Sequence, residues 1–232
     1  MPSSDVTAPA RSFPRLRGKV GMGVLHGVEL PIPPLLVISD RSQARRPLVE
    51  IAAAAFAGGG LWFSLREKDL PAEERRALLA ELVALGRRYD ATVMVHDDLD
   101  AAVATGAGGV HLASGSDPKA ARARLPQGLI GVSAHGAAEA AALLASGADY
   151  VTISPIFLTD SKPGYGPALG LDGLAAAVAA AQGRVVALAG INPGNARACL
   201  DAGAAGIAVM GEVMRAADPE AAVRALIAVI AP

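Results

Sequence analysis

Three places in this sequence carry side chains whose types and spacing suit the binding of a phosphorylated ligand. Arg66 and Lys68 stand two residues apart just after the apolar run Leu61–Leu65, and His96 and Asp97 close the run Thr92–Asp97. Further on, the stretch Ile153–Pro163 passes from apolar residues to Thr159, Ser161, Lys162 and a proline. A buried strand that ends in hydroxyl donors and one cation is a backbone edge suited to a phosphate or pyrophosphate. Arg66, Lys68 and Lys162 together can neutralise a multiply charged phosphate, and Arg66 adds a planar fork for two oxygens. Asp97 is a candidate ligand for Mg²⁺ bridging a pyrophosphate, because Mg²⁺ prefers carboxylate oxygens plus substrate phosphates. Gly190 and Gly211 follow two later apolar runs, where bare backbone N–H groups can approach an anion. Each residue also has a plainer use. Asp40 and Asp100 suit helix N-caps, His111 suits a hydrogen-bonded core position, and Arg66 and Lys68 suit surface pairs with Glu67 or Asp69.

These residues can meet only if the elements that carry them end on one side. From Pro34 onward, short β-rich runs recur at Leu35–Asp40, Leu61–Leu65, Thr92–Asp97, Gly109–Leu112, Leu129–Ser133, Tyr150–Ile156, Val185–Ile191 and Gly206–Met210. Alanine- and leucine-rich segments of helical character separate them. The clearest is Pro71–Tyr89, where Leu78, Leu79, Leu82 and Leu85 recur at helical spacing and Glu73, Glu74, Arg75 and Arg76 face outward. Pro71 suits a first turn, and Gly147, Gly203 and the Gly58-Gly59-Gly60 run suit helix C-termini. A series of eight β-then-α units allows an open doubly wound sheet or a closed barrel. After the first run stands Ser39-Asp40-Arg41 in place of a glycine-rich dinucleotide fingerprint, and similar Gly-Ala turns precede several runs. The expected fold is therefore α/β, a single-domain (β/α)₈ TIM barrel over residues 34–232, with its site on the carboxyl ends of the strands.

Composition agrees. The 232 residues fit one barrel domain of the usual ~250 residues. Hydrophobic residues make up 52% and aromatics 3%, so the core is expected to be aliphatic, as parallel sheets under alanine-rich helices are. A net charge of −1 without charge blocks gives no reason to expect nucleic acid or an acidic membrane surface as a partner. No apolar run approaches the ~20 residues that span a bilayer. The single cysteine, Cys199, excludes an internal disulfide framework. Residues 1–33 lack any period and are expected to form a poorly ordered N-terminal extension. A cytoplasmic protein acting on small molecules is the expectation, with a homo-oligomer left open.

Taken together in order, several segments resemble the thiamine phosphate synthase and TenI family of barrels. They are Leu65-Arg66-Glu67-Lys68, Val95-His96-Asp97-Asp98-Leu99-Asp100, Gly109-Val110-His111-Leu112 and Ile130-Gly131-Val132-Ser133-Ala134-His135. Gly147-Ala148-Asp149-Tyr150, the stretch through Lys162, Ala189-Gly190-Ile191 and Ala205–Val209 complete the series. The resemblance implies a transferase of thiamine biosynthesis that joins a pyrimidine pyrophosphate to a thiazole phosphate with Mg²⁺. Arg66, Lys68 and Lys162 would then grip the pyrophosphate and Asp97 the metal, with Ser64, His96 and Ser133 on the substrate. Thr159, Ser161, Gly190, Met210 and Gly211 would hold the thiazole phosphate.

The chain also departs from that pattern. Synthases usually carry glutamine where Ser64 stands and asparagine where His96 stands. Their Gly-Gln-x-Asp loop, whose aspartate is a second metal ligand, reads Ala113-Ser114-Gly115-Ser116 here, with Asp117 one place late. The altered loop looks more like TenI proteins, which implies a thiazole phosphate isomerase or a non-catalytic phosphate-ligand binder as the alternative. Pro155 stands where the tautomerase of that group has its histidine, which disfavours that chemistry.

Overall fold

The structure is a computed structural model that describes residues 28–159 and 166–231. Eight strands run β1 (Leu35–Ile38), β2 (Trp62–Leu65), β3 (Thr92–His96), β4 (Gly109–Leu112), β5 (Leu129–Ala134), β6 (Tyr150–Ile153), β7 (Val185–Leu188) and β8 (Gly206–Val209). They close in sequence order into an all-parallel barrel, β8 pairing with β1 at Leu36↔Ala208. Helices follow the strands: α1 (Leu48–Ala57), α2 (Ala72–Arg87), α3 (Leu99–Thr105), α4 (Pro118–Arg124), α5 (Ala137–Ala145), α6 (Gly170–Ala181), α7 (Ala196–Asp201), α8 (Gly211–Met214) and α9 (Pro219–Ile230). The closed barrel is the expected fold.

Strand alternation sorts the apolar residues into two cores. Leu35, Val37, Phe63, Leu65, Val93 and Val95 point outward and pack beneath the helices with Leu79, Leu82 and Ala101. Leu36, Ile38, Trp62, Met94, Leu129, Tyr150, Val186 and Ala208 point inward and fill the lower barrel. The outer core is mainly aliphatic as the composition requires, with one aromatic pair, Phe56 and Phe63, edge to face at 6.1 Å. In the inner core Trp62 and Tyr150 meet edge to face at 4.9 Å, and the Trp62 indole N–H donates to Met94 Sδ at 3.0 Å. In α2, Leu79 and Leu82 are fully buried, while Glu73 and Glu74 occupy the first turn and Arg87 the last, each complementing the helix dipole.

Residues 28–33, just before the expected domain start at Pro34, contact the barrel. Val28 and Leu30 pack against the inner core from below. Buried Asp149 accepts hydrogen bonds from the Val28 and Ile130 amides at 3.2 and 2.7 Å and pairs with Arg122 at 2.5 Å. Residues 28–33 thus close the floor of the barrel. No periodicity announces them, because a plug needs two apolar contacts rather than a repeating face.

Candidate functional site

The carboxyl ends of the strands open into a cavity of about 580 Å³. Its lining includes Asp40, Arg66, Lys68, His96, Asp97, His111, Ser133, Thr159, Gly190, Met210 and Gly211, so that all eight strand ends contribute. Ser161 and Lys162 lie outside the described residues. A groove of similar volume between α2 and α3 is lined by Glu73, Arg76 and Arg87 with three alanines, Val83 and Thr105, and draws on those two helices rather than on the strand ends.

The two cations after β2 are aimed by a buried carboxylate. Glu67 turns inward, accepting from Ser39 Oγ at 2.6 Å and from the Arg41 amide at 3.1 Å. Ser39 Oγ in turn accepts from the Arg66 amide at 2.8 Å. Burial raises the Glu67 carboxyl above its ordinary range, against the lowering effect of the Ser39 and Arg41 hydrogen bonds. Because Glu67 is occupied below and Asp69 pairs with Arg41 at 2.5 Å, neither takes Arg66 or Lys68 as a surface partner. Arg66 has no hydrogen-bond or ion-pair partner for its side chain among the described residues, and Lys68 faces Asp97 at 3.6 Å.

Asp97 follows β3 in the left-handed region with φ 52°. Backbone strain of this kind costs about 1–3 kcal/mol and gathers at functional sites. The turn is held by the Asp97 amide donating to the His111 carbonyl at 2.9 Å and by Asp97 Oδ1 accepting from the Ala113 amide at 2.6 Å. Oδ2 is left toward Lys68 and the cavity. Asp117 does not line the cavity; it caps α4, its Oδ1 accepting from the Lys119 amide at 2.9 Å. The one-residue displacement puts this carboxylate at a helix N-terminus, with Pro118 behind it. Ser114 Oγ donates to Glu139 Oε1 at 2.5 Å.

Between the two ends of the cavity lies a polar layer inside the barrel. His96 and His111 stack with ring centroids 4.6 Å apart. His111 bridges Tyr150 Oη at 2.9 Å and Ser133 Oγ at 3.0 Å. Burial depresses His96 well below the ordinary histidine range, helped by His111, Arg66 and Lys68, and it pulls His111 down to about 3. Both imidazoles are therefore neutral at pH 7. His96 Nε2 and Ser64 Oγ are buried without a partner among the described residues. Unsatisfied polar atoms of this kind cost about 1–3 kcal/mol each unless a ligand or water meets them. Ser64 lies beneath the cavity rather than in its wall.

At the opposite wall, Ala189 and Gly190 both have positive φ, 82° and 67°. A Cβ on Gly190 would stand 2.6 Å from the Leu158 carbonyl oxygen and Phe157 Cβ, so glycine is required there. Sequence reasoning missed Arg215 and Asn192, which also line the cavity. Arg215 sits one turn after Gly211 and its guanidinium crosses that residue's missing side chain toward Gln43. An i, i+4 spacing from the strand-end glycine was the available signal.

Residues 35–213 match the family model for thiamine monophosphate synthase. The chain belongs to that family. A thiamine-phosphate synthase of Moorella thermoacetica (strain ATCC 39073 / JCM 9320) is 40% identical over 82% of this chain and 92% of its own length. That of Roseiflexus sp. (strain RS-1) is 40% identical over 84% of both chains. The solved thiamine phosphate pyrophosphorylase of Pyrococcus furiosus superposes with a TM-score of 0.76 at 36% identity, covering 84% of this chain and 94% of that one. Within the thiamine monophosphate synthase family, then, this member carries its cations and Asp97 at one wall and its glycine turns at the other. No helix among the described residues is long and apolar enough to cross a membrane.

Proposed function

We propose that this chain joins a pyrimidine pyrophosphate to a thiazole phosphate, giving thiamine monophosphate and pyrophosphate. The observation that carries this reading is the two-ended cavity. Arg66, Lys68 and Asp97 line one end, Gly190 and Gly211 the other, and a neutral polar layer lies between them. Two anionic groups separated by aromatic rings suit such an arrangement.

The residues support a dissociative substitution. The bond from the pyrimidine methylene carbon to the pyrophosphate oxygen breaks, and its electron pair leaves with pyrophosphate. Arg66 and Lys68 neutralise that developing charge, Arg66 being free to present its fork. Lys162 is assigned to the same group, and Ser161 and Thr159 to the thiazole phosphate. The lone pair of the thiazole nitrogen then forms the new C–N bond. Ser133 and His96, which both line the cavity, face the pyrimidine. Neither buried imidazole carries a charge that would oppose a cationic centre. Catalysis of this kind rests on charge stabilisation and positioning, so it needs no nucleophilic side chain.

Asp97 fits Mg²⁺, because one oxygen stays turned toward the cavity and Mg²⁺ commonly takes one or two protein carboxylates, with phosphate oxygens and water completing the shell. Asp117, occupied as a cap, does not fit in this arrangement. When bound, the ion would add positive charge against the leaving pyrophosphate. Incubation of the purified chain with both substrates and Mg²⁺, with detection of thiamine monophosphate, tests the proposal. Product no faster than the uncatalysed background would sink it.

The unpartnered His96 Nε2 and the altered metal loop favour a second reading, a TenI-like paralogue acting on or binding thiazole phosphates. That reading expects thermal stabilisation by thiazole phosphate and none by pyrophosphate with Mg²⁺. Loss of isomerisation in His96→Ala would identify the isomerase within it.

A further inference from the structure

A hydrogen-bonded row runs from Tyr150, beneath the cavity, through His111 to Ser133, which both line it, and its proton order is set by chemistry. Tyr150 Oη has two neighbours, His111 Nδ1 at 2.9 Å and Met94 Sδ at 3.8 Å. The sulfur is a weak acceptor and already receives the Trp62 N–H at 3.0 Å. An imidazole nitrogen at the shorter distance is the better acceptor, so the phenol proton goes to Nδ1. A neutral ring that accepts at Nδ1 carries its hydrogen on Nε2. That hydrogen faces Ser133 Oγ at 3.0 Å, with Thr152 Oγ1 more distant at 3.4 Å. Ser133 Oγ therefore receives a hydrogen bond from below, and its own proton is left for the cavity it lines.

We infer that Tyr150 is a positioning residue that acts through the His111 tautomer to hold Ser133 as a hydrogen-bond donor toward the cavity. The geometry has a supporting cause in the backbone. Tyr150 reaches His111 only because residue 131 lacks a side chain: a Cβ there would lie 2.1 Å from Cζ and 2.4 Å from Oη of the tyrosine. Buried Tyr150 itself keeps its proton, so it remains a donor. The ligand this presents to is one with an acceptor on its ring edge, which rests on the pyrimidine reading given above.

Two measurements on the full chain test the relay. In ¹⁵N-imidazole-labelled protein, NMR of His111 should show a single Nε2–H tautomer from about pH 6 to about 8, and Tyr150→Phe should give a mixture of tautomers. An Nδ1–H tautomer in the unsubstituted protein would overturn the inference. In kinetics, Tyr150→Phe should raise KM for the pyrimidine pyrophosphate about tenfold, the worth of roughly one hydrogen bond, and leave KM for the thiazole phosphate unchanged. Ser133→Ala should cost at least as much, and adding Tyr150→Phe to it should change nothing further. Fully additive effects would overturn the relay, since a merely structural tyrosine would act independently of Ser133. The phenyl ring of the variant still fills the space over Gly131, so folding is retained. If the unsubstituted protein forms no product, the synthase reading fails and the tautomer alone decides the relay.

Discussion

The ring of Tyr150 occupies the space that a side chain on residue 131 would take, with Cζ only 2.1 Å from where a Cβ on Gly131 would be built. Backbone atoms of β5 and an aromatic ring of β6 are thus in direct contact inside the barrel. Gly131→Ala should force the ring out of place. Overpacking of this kind costs about 1–3 kcal/mol, which for a chain of this length is a fall in Tm of roughly 2–12 °C. A thermal melt unchanged from that of the parent protein would show that the ring moves aside freely.

Acid should weaken the fold from two different onsets. His96 and His111 have folded-state values below the ordinary histidine value, so the unfolded chain binds protons more readily than the folded one. Their cost is absent above about pH 6.5 and grows as pH falls, by up to about 1.4 kcal/mol per pH unit for each ring. Asp98 behaves differently. Burial pushes its carboxyl up, but the Ala101 amide and Arg75 outweigh this and lower it, so its stabilisation is lost only in stronger acid, below the ordinary aspartate value. Melting curves between pH 7 and pH 5 should therefore slope downward, and His111→Gln should make the slope shallower. An identical slope in that variant would remove His111 from the explanation.

The metal expectation separates two aspartates by their hydrogen bonds. Asp97→Asn keeps an oxygen for the Ala113 amide but loses the charge, so turnover should drop by about a hundredfold or more and need more Mg²⁺. Asp117→Asn keeps the cap on α4, because asparagine caps as well as aspartate, and should shift the Mg²⁺ requirement by less than about twofold. Mg²⁺ titrations of both variants decide it. A large shift in Asp117→Asn would show that the α4 cap opens to reach the ion.

Gly190→Ala places a methyl group against the Leu158 carbonyl and Phe157 and demands a positive φ. The turn must move, and KM for the thiazole phosphate should rise by roughly tenfold, about 1.4 kcal/mol, with less effect on the pyrimidine pyrophosphate. Equal effects on both substrates would assign this turn to general packing.

What could be read without coordinates followed from period and punctuation. Eight apolar runs separated by helical segments allow an open sheet or a barrel, and the absent dinucleotide fingerprint and repeated Gly-Ala turns favour the barrel; α2 spans Ala72–Arg87 where Pro71–Tyr89 was expected. Strand ends then bring Arg66, Lys68, His96, Asp97, Ser133 and Gly190 to one cavity. The inner hydrogen-bonded row was not legible, because whether His111, Tyr150 and Thr152 face inward depends on the closure of the barrel. Asp117 was ambiguous for a local reason, since a carboxylate before proline serves equally as a cap or a ligand. Val28 and Leu30 carried no period at all. Ser161 and Lys162, on which part of the anion reading rests, fall outside the described residues.

The plug beneath the barrel governs traffic. With Val28 and Leu30 packed against the floor and Trp62, Met94 and Leu129 above them, the described residues form a cup that opens at the strand ends. Under the proposed reading, a ring held against Ser133 and His111 would lie deeper than a phosphate held at the rim, and the deeper ligand would then enter first.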